Sequence, residues 1–270
     1  MSFFTAKPSW PLSLFVKQYW AIDNCVPIGD EYIQRIVPNG LMELTFYLDS
    51  KPTSLDDHKS IEDRALISGH LKSYYDISIT GTLSMFSVTL LPFGVGMLLN
   101  LPADEIYDHN VPLKYLLPEI SCRLEDSLYE ANSFDERVSL TEKCLMALYG
   151  SKSQSYEMKR IIDSVHLIKN SKGSVQVDDL SDAACLSRKQ FERTFLNLIG
   201  TTPKQFLKTV RFQNSIHIKQ IDPSANLTEI AYCSGYYDQA HMINDYKSLS
   251  GLTPGQYFKE CDPFSDFFDN

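Results

Sequence analysis

The sequence lacks the short motifs that mark the commonest enzymes. Its 270 residues contain no GxxxxGK(S/T), GxGxxG or GxSxG pattern, the usual signatures of nucleotide binding, dinucleotide binding and serine hydrolysis. Neither HExxH nor HxH occurs, and the six cysteines include no CxxC pair. Because zinc is usually held by such close pairs, we expect no metal. Because the nucleotide, dinucleotide and hydrolase motifs are missing as well, we expect no other cofactor and no enzymatic activity.

Long apolar runs and a signal peptide are also missing. No run approaches the roughly 18 apolar residues that a membrane helix needs. The first eight residues have neither the basic start nor the apolar core of a secretory signal. We therefore expect a cytoplasmic protein with no membrane partner and with its cysteines as free thiols. Hydrophobic residues make up 43% of the chain, an ordinary value for a globular protein, and the length favours about two domains.

Charge is distributed unevenly along the chain. The net charge is -9, and residues 1–154 hold 12 basic and 20 acidic side chains, whereas residues 155–262 hold 13 and 12. Within 186–219 there are seven Lys or Arg residues and a single acid, Glu192. A local excess of this kind suits a surface that binds a polyanion. Taken alone, it is equally compatible with a solvated helix face.

The first half has the pattern of short strands followed by helices. Segments 43–48, 74–79 and 86–90 are rich in aromatic or β-branched residues, which predicts strands. The polar stretch 51–64 between them is expected to be a loose loop. Leucines and Ile120 then recur at helical spacing from 113 to 128.

Ser133 and Glu136 form a capping-box pattern, which predicts a second helix running to about Tyr149. We predict a β-rich, sensor-like domain with trailing helices over 1–150, plausibly a small barrel or sandwich. The trailing helices are expected to pack on the strands, although their apolar stripe would also suit dimerisation. Residues 150–155 read as a polar linker. The aromatic, acidic tail after 262 would either dock on the first domain or fray.

The second half contains an internal repeat. Val177-Asp178-Asp179-Leu180 matches Leu227-Thr228-Glu229-Ile230 at an offset of 50 residues, and the match continues at 51 after one insertion. Both copies then carry a capping Ser or Asp, two large apolar residues four apart, a Gly and a Thr-Pro pair. Each copy predicts a helix-turn-helix unit, with short helices at about 178–184 and 227–233. A long helix over 203–219 would connect the two units. The fold class is thus α+β multidomain, with an all-α domain over 155–262.

This arrangement resembles the AraC/XylS family of bacterial transcription regulators, in which a domain of seven helices carries two helix-turn-helix units joined by a long helix. The motifs behind the resemblance are LSRKQFERTF at 186–195, GTTP at 200–203, IA at 230–231, GYYDQ at 235–239 and GLTPGQY at 251–257. They lie within about 160–260, over a third of the chain. The resemblance implies sequence-specific binding of double-stranded DNA by two recognition helices in successive major grooves.

Matching the family's helix positions gives the candidate DNA-binding residues. Each long polar side chain is expected on the outward face of its helix: Arg188, Lys189, Glu192, Arg193, Gln239, His241 and Asn244. Arg193 suits a guanine edge, Glu192 a cytosine, and Gln239 and Asn244 an adenine, whereas Arg188 suits a phosphate. Because the second unit lies in an acidic segment, we expect the first unit to supply most of the phosphate attraction.

One turn departs from the family pattern. Cys185 stands where the first turn commonly has glycine, as Gly235 does in the second unit. Since a left-handed backbone strains a cysteine, the sequence predicts a different turn geometry there.

The resemblance also implies a small effector in the first domain, and RNA polymerase and a second copy of the chain as further partners. Aromatic residues are candidates for an effector pocket, although a role in the core is the more common one: Trp10, Trp20, Tyr32, Phe46, Tyr47, Tyr74, Tyr75 and Phe86.

Three other classes of protein are alternatives to be weighed from the sequence. A cupin-like enzyme would need clustered histidines, and His58, His70 and His109 are dispersed. An alkyltransferase with a similar DNA-binding unit would need four cysteines near its start, where only Cys25 stands. The main alternative is a sensor or interaction protein that keeps the helical fold without binding DNA.

Overall fold

A computed structural model describes residues 2–27, 29–149 and 156–260. Its strands are β1 (Ser2–Ala6), β2 (Val16–Cys25), β3 (Tyr32–Ile36), β4 (Met42–Tyr47), β5 (Thr53–Ser54), β6 (Ala65–Ser68), β7 (Tyr75–Ile79), β8 (Thr82–Leu90) and β9 (Asn110–Pro112). Its α-helices are α1 (Leu113–Leu116), α2 (Pro118–Glu130), α3 (Phe134–Tyr149), α4 (Tyr156–Asn170), α5 (Val177–Ala183), α6 (Arg188–Ile199), α7 (Pro203–Ile221), α8 (Leu227–Cys233), α9 (Gln239–Ser250) and α10 (Pro254–Glu260). In these ranges no helix combines the length and apolarity needed to cross a bilayer.

The strands form two antiparallel sheets. The larger sheet has the order β1-β2-β8-β4-β6-β9 and the smaller one has the order β3-β7-β5. Side chains alternate between the faces of β4, as the period of two in a strand requires. Leu44 and Phe46 enter the main core, whereas Tyr47 enters a separate apolar cluster with Tyr75 and Ile77 of the smaller sheet. The predicted strands are therefore confirmed, and they are arranged as a sandwich.

Helices α2 and α3 cover the outer face of the larger sheet. Leu124, Leu128 and Leu145 are buried in the core that also contains Phe86 of β8. The backbone N–H of Glu136 donates to Ser133 Oγ at 3.2 Å, which is the predicted cap. The predicted packing of these helices on the strands is thus confirmed.

Residues 51–64 are more ordered than the predicted loose loop. They contain β5 and a turn of 3-10 helix at Asp57–Lys59. The prediction fails because Lys59 is buried, with its Nζ 3.2 Å from Asp108 Oδ1. An ion pair between distant parts of the chain fixes this segment, and a local polar composition does not reveal it.

Among residues 156–260 the helices match the predicted repeat. Helices α5 and α6 form the first helix-turn-helix unit, α8 and α9 form the second, and α7 joins them. Phe191 and Phe195 of α6 are fully buried, as are Met242 and Tyr246 of α9. These apolar pairs lie one turn apart on each helix, so both helices are anchored by one face.

The β-rich and helical halves share one continuous core. It runs from Phe46 and Phe86 of the larger sheet to Phe191 and Phe206 of the helical half. Further polar contacts cross the boundary. Gln205 Nε2 donates to the carbonyl of Lys72 at 3.0 Å, Gln213 Nε2 to that of Pro38 at 2.7 Å, and Arg35 to that of Ser250 at 3.0 Å. The predicted linker 150–155 and the tail from 261 onward lie outside the described residues.

Candidate nucleic-acid interface

Each of α6 and α9 starts at a capped turn. The backbone N–H of Gln190 donates to Ser187 Oγ at 3.4 Å, and that of His241 donates to Asp238 Oδ1 at 2.7 Å. These caps satisfy backbone donors that the first turn of a helix leaves unpaired. Gly200 and Gly251 end the same helices in the left-handed conformation, with φ of 84° and 75°. The two units therefore position their second helices by the same local devices.

The turn of the first unit has the same left-handed backbone as the turn of the second unit, in spite of its cysteine. Cys185 has φ of 52°, and Gly235, its counterpart, has φ of 85°. The prediction of a different geometry is thus wrong. The surrounding helices hold the backbone in the left-handed region, and Cys185 adopts it at the cost of steric strain.

All four predicted side chains of α6 are exposed, but they are not equivalent. Arg188 lies 3.0 Å from Asp178 and 3.2 Å from Glu192, and these carboxylates raise the pKa of its guanidinium. Lys189 and Arg193 make no ion pair with any residue that the structure describes. They are therefore the cations of α6 that an anion reaches without breaking an existing contact.

The predicted side chains of α9 are less exposed than those of α6. Asn244 is exposed, whereas Gln239 and His241 are half-buried. The His241 ring packs edge-on against Tyr236 at 5.2 Å between centroids, and its Nε2 lies 3.7 Å from Asp245 Oδ2. The expectation that all three occupy outward positions therefore holds fully for Asn244 alone.

Buried ion pairs reduce the charge that the basic segment presents. Asp245 is buried, and its carboxylate lies 3.1 Å from Arg211 and 3.7 Å from Lys208. Burial lowers the pKa of the Lys208 ammonium, against the attraction of Asp245. The Arg211 side chain is only 14% exposed. Two of the seven basic side chains in 186–219 thus stabilise the packing of α7 on α9.

A cleft of about 860 Å³ lies between the two units. Its walls include Arg188 at the start of α6 and His241 in the first turn of α9, so the starts of both helices border the same opening. Sequence reasoning missed several residues at this cleft. Lys172, Lys204 and Tyr237 line it, and Tyr237 is 84% exposed. The predicted list also omitted Gln190, which is exposed on α6 at the position of His241.

A second cavity lies in the first half, between the two sheets. Of the aromatic residues proposed for a pocket, Trp20, Tyr47 and Tyr75 line it. Phe46 and Phe86 are buried in the main core instead, and Trp10 is 79% exposed. Tyr32 is exposed on β3, and Tyr74 packs with the core of the second unit. The cavity also receives Gln213 of the connecting helix α7.

Two family models match this chain. Residues 180–260 match a family described as a helix-turn-helix domain, and residues 5–112 match a domain of unknown function (DUF6597). The first match begins within α5 and ends with α10, so it contains most of both units. The fold and this match define a helix-turn-helix protein with an appended β-rich sandwich.

Curated relatives match somewhat more than a third of this chain. An uncharacterized HTH-type transcriptional regulator of Bacillus subtilis, YdeC, is 28% identical over 39% of this chain and 35% of its own length. The XylDLEGF operon transcriptional activator of Pseudomonas putida is 29% identical over 34% of this chain and 30% of its own. The chain thus spans about a third of the length of these relatives. Among solved structures, ToxT of Vibrio cholerae is 13% identical with a TM-score of 0.49, covering 93% of this chain and 99% of that one. The helix-turn-helix match and these relatives thus show a chain with a helix-turn-helix domain over 180–260 that is similar to HTH-type transcriptional regulators.

Proposed function

We propose that the protein is a transcription regulator that binds specific DNA sequences, with α6 and α9 entering successive major grooves. It would act in the cytoplasm, without enzymatic activity, and would respond to a small effector in its first domain. The observation that carries this proposal is the repeated anchoring of the two helices. Each buries one apolar face and starts at a capped turn beside the shared cleft, and each exposes polar side chains of the predicted set, four on α6 and Asn244 on α9.

The exposed side chains suit different parts of the duplex. Arg193 can donate two hydrogen bonds to a guanine edge, and Asn244 occupies the equivalent position of α9 with the pairing geometry that suits adenine. Lys189 and Lys204, both exposed, would neutralise phosphates. Glu192 would accept from a cytosine. Arg188 would reach a phosphate only after leaving Asp178 or Glu192, so we expect it to contribute less than its charge suggests.

Gln239 and His241 would contribute less to base contacts than Asn244, since both are half-buried. The effector role is supported by the cavity between the sheets. Gln213 lines that cavity and belongs to α7, which joins the two units. A ligand there would touch the helix that sets their relative position. RNA polymerase and a second copy of the chain are the further partners we propose.

Electrophoretic mobility with the protein's own upstream DNA, across a salt series, tests the proposal. We expect a specific shift whose affinity falls steeply with salt, as phosphate neutralisation requires. Arg193→Ala should weaken it, whereas Lys143→Ala, which removes an exposed cation from α3, should leave it unchanged. If no shift is seen, or if unrelated DNA competes every shift away, the result would favour the alternative, a sensor or interaction protein without DNA binding.

A further inference from the structure

The cavity between the sheets is lined mainly by apolar side chains, with Glu43 among the smaller number of polar ones. The larger sheet directs Trp20, Glu43 and Tyr47 into it, and Ile77 enters from the smaller sheet. The opposing register places Thr89 of β8 between Gln18 of β2 and Glu43 of β4, so these three polar side chains form a row across neighbouring strands. An apolar cavity with a few convergent polar groups is the usual form of a small-molecule site.

Glu43 is the acidic group of this row. Its carboxylate accepts from Ser87 Oγ at 3.2 Å and from Thr89 Oγ1 at 3.3 Å, and Thr89 in turn accepts from Trp20 Nε1 at 3.2 Å. Among the described residues that line the cavity, no Lys, Arg or His accompanies it. The carboxylate therefore faces the cavity with hydroxyl partners and without a paired cation on its wall.

The neighbours of Glu43 set its protonation. Burial raises the pKa of its carboxyl to about 7, while the hydrogen bonds from Ser87 and Thr89 and the charge of Lys17 on β2 act in the opposite direction. Tyr47 and Tyr75 also face it, and burial raises the pKa of both phenols, so they stay neutral near pH 7. Glu43 thus exchanges its proton near neutral pH, well above the ordinary range of a carboxyl group.

A carboxylate beside aromatic rings is a chemical match for an ammonium group. A cation gains from the negative face of an aromatic ring, and it offsets the desolvation of a buried carboxylate. The cavity has a volume of about 160 Å³. An engineered cavity of about 150 Å³ in another protein holds a benzene molecule, so a cavity of this volume has room for a compound with a single ring.

We propose that this cavity binds a small, single-ring aromatic amine, with its ammonium paired to Glu43 and its ring among Trp20, Tyr47 and Tyr75. The inference rests on the proposed effector function and specifies the class of ligand for that site. Because Glu43 is the one charged side chain among the described residues that line the cavity, an anionic ligand of the same size is disfavoured. Asn39 and Gln213 also line the cavity, and the Gln213 amide donates to the carbonyl of Pro38. A ligand bound in the cavity would therefore lie beside this contact between the β-rich half and α7.

Isothermal titration of the full chain with benzylamine, benzyl alcohol and benzoate tests this proposal. The three probes share one ring and differ in charge. At pH 8 we expect benzylamine to bind at least about tenfold more tightly than the other two, since only it pairs with Glu43. Its association constant should rise about tenfold from pH 6 to pH 8, because Glu43 is ionised more fully in that range while benzylamine stays protonated.

Glu43→Gln should remove the preference for benzylamine, whereas Asp49→Asn, an exposed acid of the same half, should keep it. Three results would overturn the proposal: benzyl alcohol or benzoate binds as tightly as benzylamine or more tightly, no probe binds, or Glu43→Gln leaves benzylamine binding unchanged. The comparison of probes on the native chain needs no variant, so a folding defect in Glu43→Gln does not obscure it. DNA binding is measured separately: a chain that binds benzylamine but shifts no DNA would refute the regulator and keep the ligand class.

Discussion

Replacing Glu43 by glutamine should stabilise the protein at alkaline pH and have little effect at acid pH. The pKa of Glu43 rises from an unfolded value of 4.5 to about 7 because its carboxyl is buried. The folded state therefore binds this proton more tightly, and the resulting penalty grows as pH rises from 4.5 and is complete above about 7. The full difference corresponds to about 3 kcal/mol of unfolding free energy at about 1.36 kcal/mol per pH unit. Since Glu43 is partly exposed to the cavity, we expect about 2 kcal/mol.

Urea unfolding of both proteins at pH 4.5, 6 and 8 measures this difference. The hydroxyls of Ser87 and Thr89 can rotate to suit an amide, so the hydrogen bonds survive the substitution. Burial also holds the pKa of His70 at about 3, and the stability it contributes is lost as pH falls below 6.5, but this effect is common to both proteins and cancels. A gain independent of pH, or a loss at pH 8, would refute the reasoning.

Three other substitutions test separate parts of the structure. Arg193→Ala should weaken specific DNA binding by about 1–3 kcal/mol and relax one base position, as measured by mobility shift against a set of single-base variants. If Asn244→Ala reduced binding far more, the first unit would not dominate. Cys185→Gly should stabilise the chain by about 0.5–1 kcal/mol, because Cys185 has φ of 52°; no gain in urea unfolding would show that the turn is unstrained. Gly200→Ala should destabilise it by about 2 kcal/mol or more, since an added Cβ would lie 2.6 Å from the carbonyl oxygen of Ala103; an unchanged thermal midpoint would contradict this packing.

The helical half was predictable because its signals are local. Each of these signals depends on residues close together in the sequence, as in the caps at Ser187 and Asp238 and the apolar pair Phe191 and Phe195. Because the unit is repeated, each kind of signal occurs twice in the chain. A local pattern does not report contacts over long distances. Asp245 lies 34 residues from Arg211, so sequence alone did not reveal that their ion pair withdraws charge from the surface.

The cavity in the first half was predictable only in part. Aromatic residues were identified as candidates, but which of them turn inward depends on strand register and on the position of the second sheet. Trp20 and Phe86 are both buried, and they lie on opposite faces of the same sheet. Glu43 gave no sequence signal, because a carboxylate in an alternating strand is normally directed to solvent.

Hydroxyl-radical footprinting of the bound upstream DNA tests the central claim, that one chain places α6 and α9 in successive grooves of one duplex. The proposed function predicts two protected patches on the same face, separated by about one helical turn of 10–10.5 base pairs. Arg193→Ala should weaken one patch and Asn244→Ala the other. A single patch, or two patches on opposite faces of the duplex, would contradict the claim.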